Sequence, residues 1–144
     1  RDYYASRGLG DVYKRQYVDL LCYEQGLLNS HIADYLNANA LNRVITVCDS
    51  AEQKSIVELQ QKHIKAIPCV KGRGSVAAGI AQVKQFKLHV TKRSVKLLDE
   101  LDNYKWIKDE VSDTYTNEAI DAWNHALDAL RYGVDFLIRK YRPK

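Results

Sequence analysis

Methionine is absent from the 144 residues, proline occurs twice, glycine seven times and cysteine three times. So little proline and glycine, with no internal repeat, excludes collagen-like and low-complexity chains. No apolar run approaches the ~20 residues that a helix needs to cross a bilayer, so a soluble chain with no membrane partner is expected. The basic start, apolar middle and small cleavage site of a secretory signal are also missing. Cys22, Cys48 and Cys69 are odd in number, and no two are spaced as a CxxC pair. Each lies in an apolar stretch, which points to reduced core thiols in a cytosolic protein and away from a cysteine-ligated metal. What is present is enough to fold: 46% of the residues are hydrophobic and 28% are charged. A chain of this size suits one domain with one core.

Acid is missing from one region. Residues 61–96 contain nine basic residues and no Asp or Glu, whereas residues 97–121 hold eight acids against Lys105 and Lys108. The net charge is only +4, so position is more informative than the sum. A basic block within a folded domain fits a face that meets a polyanion. The competing reading is a solvated face whose charges pair with the acidic block in three dimensions.

Strand and helix signals alternate along the chain. YVDLLCYE (17–24) is β-branched and aromatic enough for a strand. Asn29 or Ser30 can cap a helix to about residue 37, with Ile32, Ala33, Leu36 and Ala40 at helical spacing. RVITVC (43–48) has the continuous apolar character of a strand buried on both faces. Ser50 and Gln53 form a capping box for the next helix, which Ile56, Leu59, Gln60 and His63 continue. AIPCV (66–70) is a short strand whose Pro68 suits an edge or an end. Ser75 caps a helix over 76–86, LHVT (88–91) is a strand, Ser94 caps the helix VKLLDELDN, and YKWI (104–107) is a strand. Asn117 caps a long final helix with Ile120, Trp123, Leu127, Leu130, Val134 and Leu137 on one stripe. This alternation implies an α/β layer fold with helices packed on a mostly buried sheet. Residues 1–16 are polar, Tyr-rich and without periodicity, look like translated adapter or vector sequence, and are expected to form a flexible tail; the domain is placed at 17–144.

Few residues can carry chemistry. Asp49 directly follows RVITVC, at the carboxyl end of a buried strand, where α/β sheets bind their ligands. The alternative is that it merely helps to start the next helix. His125 and Asp128 stand three apart on a helix and share a face, with Asp121 one turn earlier; the alternative there is a solvated face. Hard divalent cations take carboxylate oxygens from separate elements, and a strand-end Asp49 with a helix-borne Asp128 suits that pattern. KGRGS (71–75) has glycines that let backbone approach a phosphate, followed by a helix start with free amides. An ordinary strand-to-helix turn has the same composition, and the loop is not a Walker A motif, so nucleotide hydrolysis is not expected.

At these residues the chain resembles a known family. CDSAEQKSIVEL (48–59), IPCVKGRGSVAAGI (67–80) and HALDALRYG (125–133), in this order and spacing, are similar to the C-terminal nuclease domain of phage terminase large subunits. YVDLLCYEQGLLNSHIADYL (17–36) resembles the strand and helix that precede the second catalytic acid in that family. The resemblance implies a ribonuclease H-like α/β fold, a mixed sheet flanked by helices. It implies a two-metal endonuclease, using Mg²⁺ or Mn²⁺, that cuts concatemeric DNA during genome packaging in the host cytoplasm. Matched motif by motif, Asp49 is the acid after the central strand, Asp128 the acid on the final helix and His125 the histidine before it. All three would then be catalytic and metal-binding. Lys71 and Arg73, with neighbouring Lys84 and Lys87, would hold DNA phosphates without reading sequence. The implied partners are double-stranded DNA and the terminase ATPase domain, small subunit and portal.

One departure stands out. The family's first catalytic Asp belongs to an opening strand, and nothing before Tyr17 supplies it; Asp11 lies in the tail. The sheet is therefore expected to be incomplete at its N-terminal side, with the tail or self-association filling the open edge. Glu52, Asp121 and Asp19 are the acids available as substitutes. Two other readings stand beside the endonuclease: a non-catalytic DNA-binding or packaging-interaction fragment, and another ribonuclease H-like nuclease such as a resolvase.

Overall fold

Short β-branched segments separated by amphipathic ones give eleven elements over the described residues, 15–141, of a computed structural model. In chain order they are β1 (Arg15–Val18), α1 (Asn29–Ala38), β2 (Ile45–Cys48), α2 (Gln53–Gln61), β3 (Lys65–Pro68), α3 (Ser75–Lys84), β4 (Lys87–Val90), α4 (Val95–Asn103), β5 (Trp106–Asp109), β6 (Thr114–Ala119) and α5 (His125–Tyr141). Residues 1–14, most of the expected tail, lie outside the described residues, while Arg15 and Gln16 already belong to β1. Among the described residues no helix is long and apolar enough to cross a membrane.

The chain divides into two compact units. Residues 24–73 and 132–141 make one of them. Here β2 and β3 run parallel, with Ile45 opposite Lys65 and Cys48 opposite Pro68. The Cys69 amide donates to the Cys48 carbonyl at 2.7 Å, which carries the pairing one residue past Pro68. Proline ends a strand harmlessly because it has no amide to offer the ladder. Ile56 and Leu59, three apart on α2, pack with Ala33, Ile64 and Ala66 in a buried cluster, and Ile32, Leu36 and Cys48 lie against it. Each large aliphatic side chain buried there contributes about 1.5–3 kcal/mol. Both helices stop in the same way. His63 (φ 66°) and Ala40 (φ 57°) take left-handed conformations. The Ile64 amide reaches back to Leu59 O at 3.1 Å, and the Leu41 amide to Leu36 O at 2.8 Å. This is the Schellman arrangement, with His63 and Ala40 where glycine is commonest. His63 therefore ends α2 and does not continue it as the periodicity suggested.

Residues 15–23 and 74–131 make the other unit. β1 and β4 pair in parallel, with Arg15 opposite Lys87 and Val18 opposite Val90. β5 and β6 form an antiparallel hairpin whose register shifts between Trp106 and Lys108. Leu97, Ala126 and Leu127 are its buried cluster, with Val18, Leu20, Val90, Tyr104 and Leu130 packed on them. The strands thus pair as two parallel ladders and one antiparallel hairpin.

Several local expectations are corrected. β6 occupies the segment from which the last helix was expected to start, so Asn117 is a strand residue and not a cap. The hairpin supplies the reason, because pairing with β5 outweighs the weak helical preference of TNEA. Trp123 is 48% exposed and has φ 57°, two residues before α5, so it is outside the apolar stripe. The opening strand covers residues 15–18 and not 17–24. Ser94 does sit at the start of α4, yet its hydroxyl accepts from the Leu20 amide at 2.8 Å and makes no cap. The Ser50–Gln53 box is also replaced: α2 begins at Gln53, and the Gln53 amide group donates to the Ser50 carbonyl at 2.8 Å. Cys69 is buried and Cys48 half-buried, but Cys22 is exposed and is not a core thiol.

Candidate functional site

Asp49 leaves the carboxyl end of β2 as the chain turns toward α2. Its Oδ1 accepts from the Ala51 amide at 2.9 Å, which fixes the turn, and from Lys71 Nζ at 2.5 Å. The Lys71 ammonium, then the Ala51 amide, hold the Asp49 carboxyl below the usual carboxylate range. Reciprocally, Asp49 raises the Lys71 pKa, and the Tyr132 hydroxyl adds to this. The ammonium also lies 5.3 Å from the centroid of the Tyr132 ring. Both partners of the ion pair keep 38% of their side-chain exposure, so the pair is open to exchange with solvent ions. Lys71 thus meets a carboxylate, whereas the sequence pointed to a phosphate contact.

Asp128 lies in the first turn of α5, in the other unit. Its Oδ1 accepts from Arg131 Nη2 at 2.6 Å, one turn along the same helix. The Arg131 side chain is only 9% exposed and that of Asp128 31%. Gly79 on α3 makes room for this arginine, since a Cβ there would stand 3.2 Å from Arg131 Cδ. His125 opens α5 and is exposed, with its ring 6.4 Å from that of Tyr23 in an edge-on arrangement. Asp121 precedes the helix and accepts from the Asn124 side chain at 3.2 Å, so it does not extend the His125–Asp128 face as the spacing suggested.

The start of α5 is held by a residue that the sequence did not single out. Glu100 of α4 is 1% exposed. Its Oε1 accepts from the amides of Ala126 at 2.9 Å and Leu127 at 3.1 Å, and its Oε2 from Ala126 at 3.1 Å. These are first-turn amides with no partner inside the helix, and an acceptor there also meets the positive end of the helix dipole. The Tyr23 hydroxyl bonds to the same carboxylate, and this interaction first, then burial, raises the Tyr23 pKa. Glu100 caps from 25 residues upstream of His125, so no local capping motif reveals it; its only signal is an acid on the apolar side of an amphipathic helix.

The remaining expected residues are all exposed: Arg73 in the loop before α3, Lys84 at the end of α3 and Lys87 at the start of β4. Two bases of the acid-free stretch already have carboxylate partners upstream, Lys71 with Asp49 and Arg93 with Asp19. Arg93, then Thr91, holds the Asp19 carboxyl down to about 2. Asp49, Lys71 and Arg73 belong to one unit and His125, Asp128, Lys84 and Lys87 to the other. Among the described residues, no group of three or more His, Cys, Asp and Glu side chains converges as a metal cage. By ligand type Asp49 and Asp128 do suit Mg²⁺ or Mn²⁺: both are hard oxygen donors, and their ion pairs fall on Oδ1.

The order of elements, short parallel strand pairs alternating with helices, is that of an α/β domain. The chain matches the family described as terminase RNAseH-like domain over residues 8–135, and it belongs to that family. Among solved structures it is similar to the large-terminase (g2p) nuclease domain of bacteriophage SPP1, crystallised with bound Mn. The identity is 21%, the TM-score 0.78, and the match covers 86% of this chain and 72% of that one. No curated protein gives a significant match. The ribonuclease H-like α/β fold is the one expected from the motifs.

Proposed function

We propose that this domain, taken as residues 17–144, hydrolyses phosphodiester bonds of double-stranded DNA with divalent metal, as the nuclease part of a phage packaging terminase. The observation that carries the reading is two partly exposed carboxylates, Asp49 at the end of β2 and Asp128 in the first turn of α5, both within the span matched to the family and both singled out by the motif resemblance. Asp49 and Asp128 would hold the ions, with His125 as a further ligand or proton carrier. Bound Mg²⁺ or Mn²⁺ would activate water and stabilise the leaving oxygen. Asp49 is kept ionised by Lys71 and oriented by the Ala51 amide. Asp128 is oriented by Arg131, and Glu100 fixes the turn that carries it. Arg73, Lys84 and Lys87 supply exposed positive charge for the DNA backbone. The setting is the host cytoplasm, with the ATPase domain, small subunit and portal as partners.

A second reading, DNA binding without cutting, is favoured by one observation: among the described residues no three His, Cys, Asp and Glu side chains gather into a group that could hold an ion. Plasmid cleavage with Mn²⁺ separates the two. Nicking that is abolished by Asp128→Ala and by Asp49→Asn supports the nuclease. Salt-sensitive DNA binding, with no cutting by this chain or by one extended upstream, supports the second reading and removes the first.

A further inference from the structure

The unit formed by residues 15–23 and 74–131 contains a groove that the proposed chemistry does not use. The end of α3, the approach to β5 and the β5–β6 hairpin enclose about 330 Å³. Three aromatic rings, those of Tyr104, Trp106 and Tyr115, and two lysines, Lys84 and Lys105, line it, and no lining residue is acidic. Lys84 Nζ lies 5.9 Å from the centroid of the Trp106 ring. The register shift sets Trp106 opposite Ala119 and Lys108 opposite Tyr115. The two rings are therefore not spent on one another across the hairpin, and Tyr115 remains 67% exposed. Of the acids on the hairpin, Asp109 accepts from the Val111 and Ser112 amides and Asp113 pairs with Lys108, while Glu118 lies beside Ala119 on β6 and is not among the lining residues.

Rings beside cations, with no acid in the wall, match one ligand chemistry closely. A nucleobase offers a flat face to an aromatic ring, and its phosphate offers an anion to a lysine. The base must be unpaired, since in a duplex both its faces are already stacked. The volume is at the small end for ligand pockets, enough for one nucleotide. Tyr104 ties the groove to the helix that bears Asp128. It packs on the Leu97, Ala126 and Leu127 cluster. Burial raises its pKa, against Arg131, while Asp128 and Asp121 raise it further.

We propose that this groove holds one unpaired nucleotide of a DNA strand, its base against Trp106 and Tyr115 and its phosphates on Lys84 and Lys105. The choice of DNA as the polymer rests on the nuclease reading. The test uses the whole 144-residue chain in EDTA, with fluorescence anisotropy of a labelled thymidylate octamer and of an abasic octamer of equal charge. The thymidylate octamer is expected to bind more tightly. Tyr115→Ser should weaken it roughly fivefold or more, the lower end for one stacked base, and leave the abasic octamer unchanged. Lys105→Ala should weaken both. Because Tyr115 is largely exposed, its loss does not threaten the fold. Equal binding of the two octamers, or a Tyr115→Ser effect within twofold on thymidylate, overturns the proposal. Plasmid cutting is read separately, so a failed nuclease with intact base-dependent binding removes only the nuclease reading.

Discussion

Replacing Lys71 by alanine should tighten Mn²⁺ binding while weakening DNA binding, a pair of opposite signs that no phosphate-contact role produces. The structure gives Lys71 to Asp49 at 2.5 Å, on the Oδ1 that the Ala51 amide also occupies. A metal ion that takes Asp49 must therefore compete with an ammonium. The side chains are 38% exposed on both sides, so the contact works in a water-like dielectric and is worth about 1 kcal/mol at most. Removing it should raise Mn²⁺ affinity by roughly threefold to fivefold, the factor equivalent to that energy. Calorimetry or water-proton relaxation of Mn²⁺ without DNA reads this directly and does not depend on cleavage. Lys71→Met keeps the aliphatic stem near Tyr132 and should behave like the alanine variant, which separates charge from packing. Asp49→Asn should lose the binding that Lys71→Ala strengthens. Equal or weaker Mn²⁺ binding in both lysine variants would refute the competition and leave Lys71 as a phosphate contact alone. Coupling is reciprocal: a DNA phosphate that draws Lys71 away from Asp49 should raise wild-type Mn²⁺ affinity more than that of Lys71→Ala, by the same factor.

Three further outcomes follow from the same geometry. Glu100→Ala should cost about 2 kcal/mol or more in urea unfolding, because it strands two buried amides at the start of α5; Glu100→Gln, which keeps one acceptor, should cost less, and a loss below about 0.5 kcal/mol would show that the cap is dispensable. Asp19, held to about 2 mainly by Arg93, stabilises the fold above the unfolded carboxylate range and loses that contribution as pH falls from about 4 to about 2; carbon-detected NMR titration should give this low midpoint, and Arg93→Ala should return it toward 3.8. Cys22 alone of the three thiols should react promptly with a water-soluble maleimide, since Cys69 is buried and burial pushes the Cys48 thiol up; fast labelling of Cys69 would contradict the packing of β3.

How far the sequence could be read depended on the range of the interaction. VKLLDELDN reads as a helix from its local sequence, and α4 spans those same residues. RVITVC declares a strand by continuous apolar character and β2 lies inside it, but Ile45 is exposed and the rest only half-buried, because β2 pairs with β3 alone and is not covered on both faces as expected. AIPCV declares a short strand, and β3 overlaps it at residues 66–68 and ends at Pro68. β6 is missed for another reason: Thr114, Tyr115 and Thr116 do favour a strand, but Asn117 looks like a helix cap, and only the pairing with β5 carries the strand on through NEA. Caps were misread for a related reason. A Ser or Asn before a helix is a local signal, but the Ser94 hydroxyl is drawn to an amide 74 positions away. α5 is in turn capped by an acid from another helix. The acid-free stretch was legible as charge but not as a face: Lys62, Lys65, Lys71 and Arg73 fold into one unit, and the remaining five bases into the other.

Position and motif single out Asp49 and Asp128 but reveal neither ion partner, and the two partners differ in their exposure. Arg131 is nearly buried, stands on the same rigid helix as Asp128 and fills the space left by the missing side chain of Gly79. A Cβ added at Gly79 would press on Arg131 Cδ and Nη1, at 3.2 and 3.3 Å. Arg131, 9% exposed, is nearly withdrawn from solvent, and its hydrogen bond to Oδ1 orients the Asp128 carboxylate. Lys71 is more than a third exposed, on a flexible stem in the loop after β3, and can leave Asp49 at little cost. The carboxylate on α5 thus has the more buried partner, and the carboxylate at the end of β2 the more exposed one, which salt and ions reach more readily. Substitution should bear this out: Gly79→Ala should disturb Asp128 through Arg131 without altering the Lys71–Asp49 pair, whereas salt should loosen the Lys71–Asp49 pair and leave Arg131–Asp128 in place.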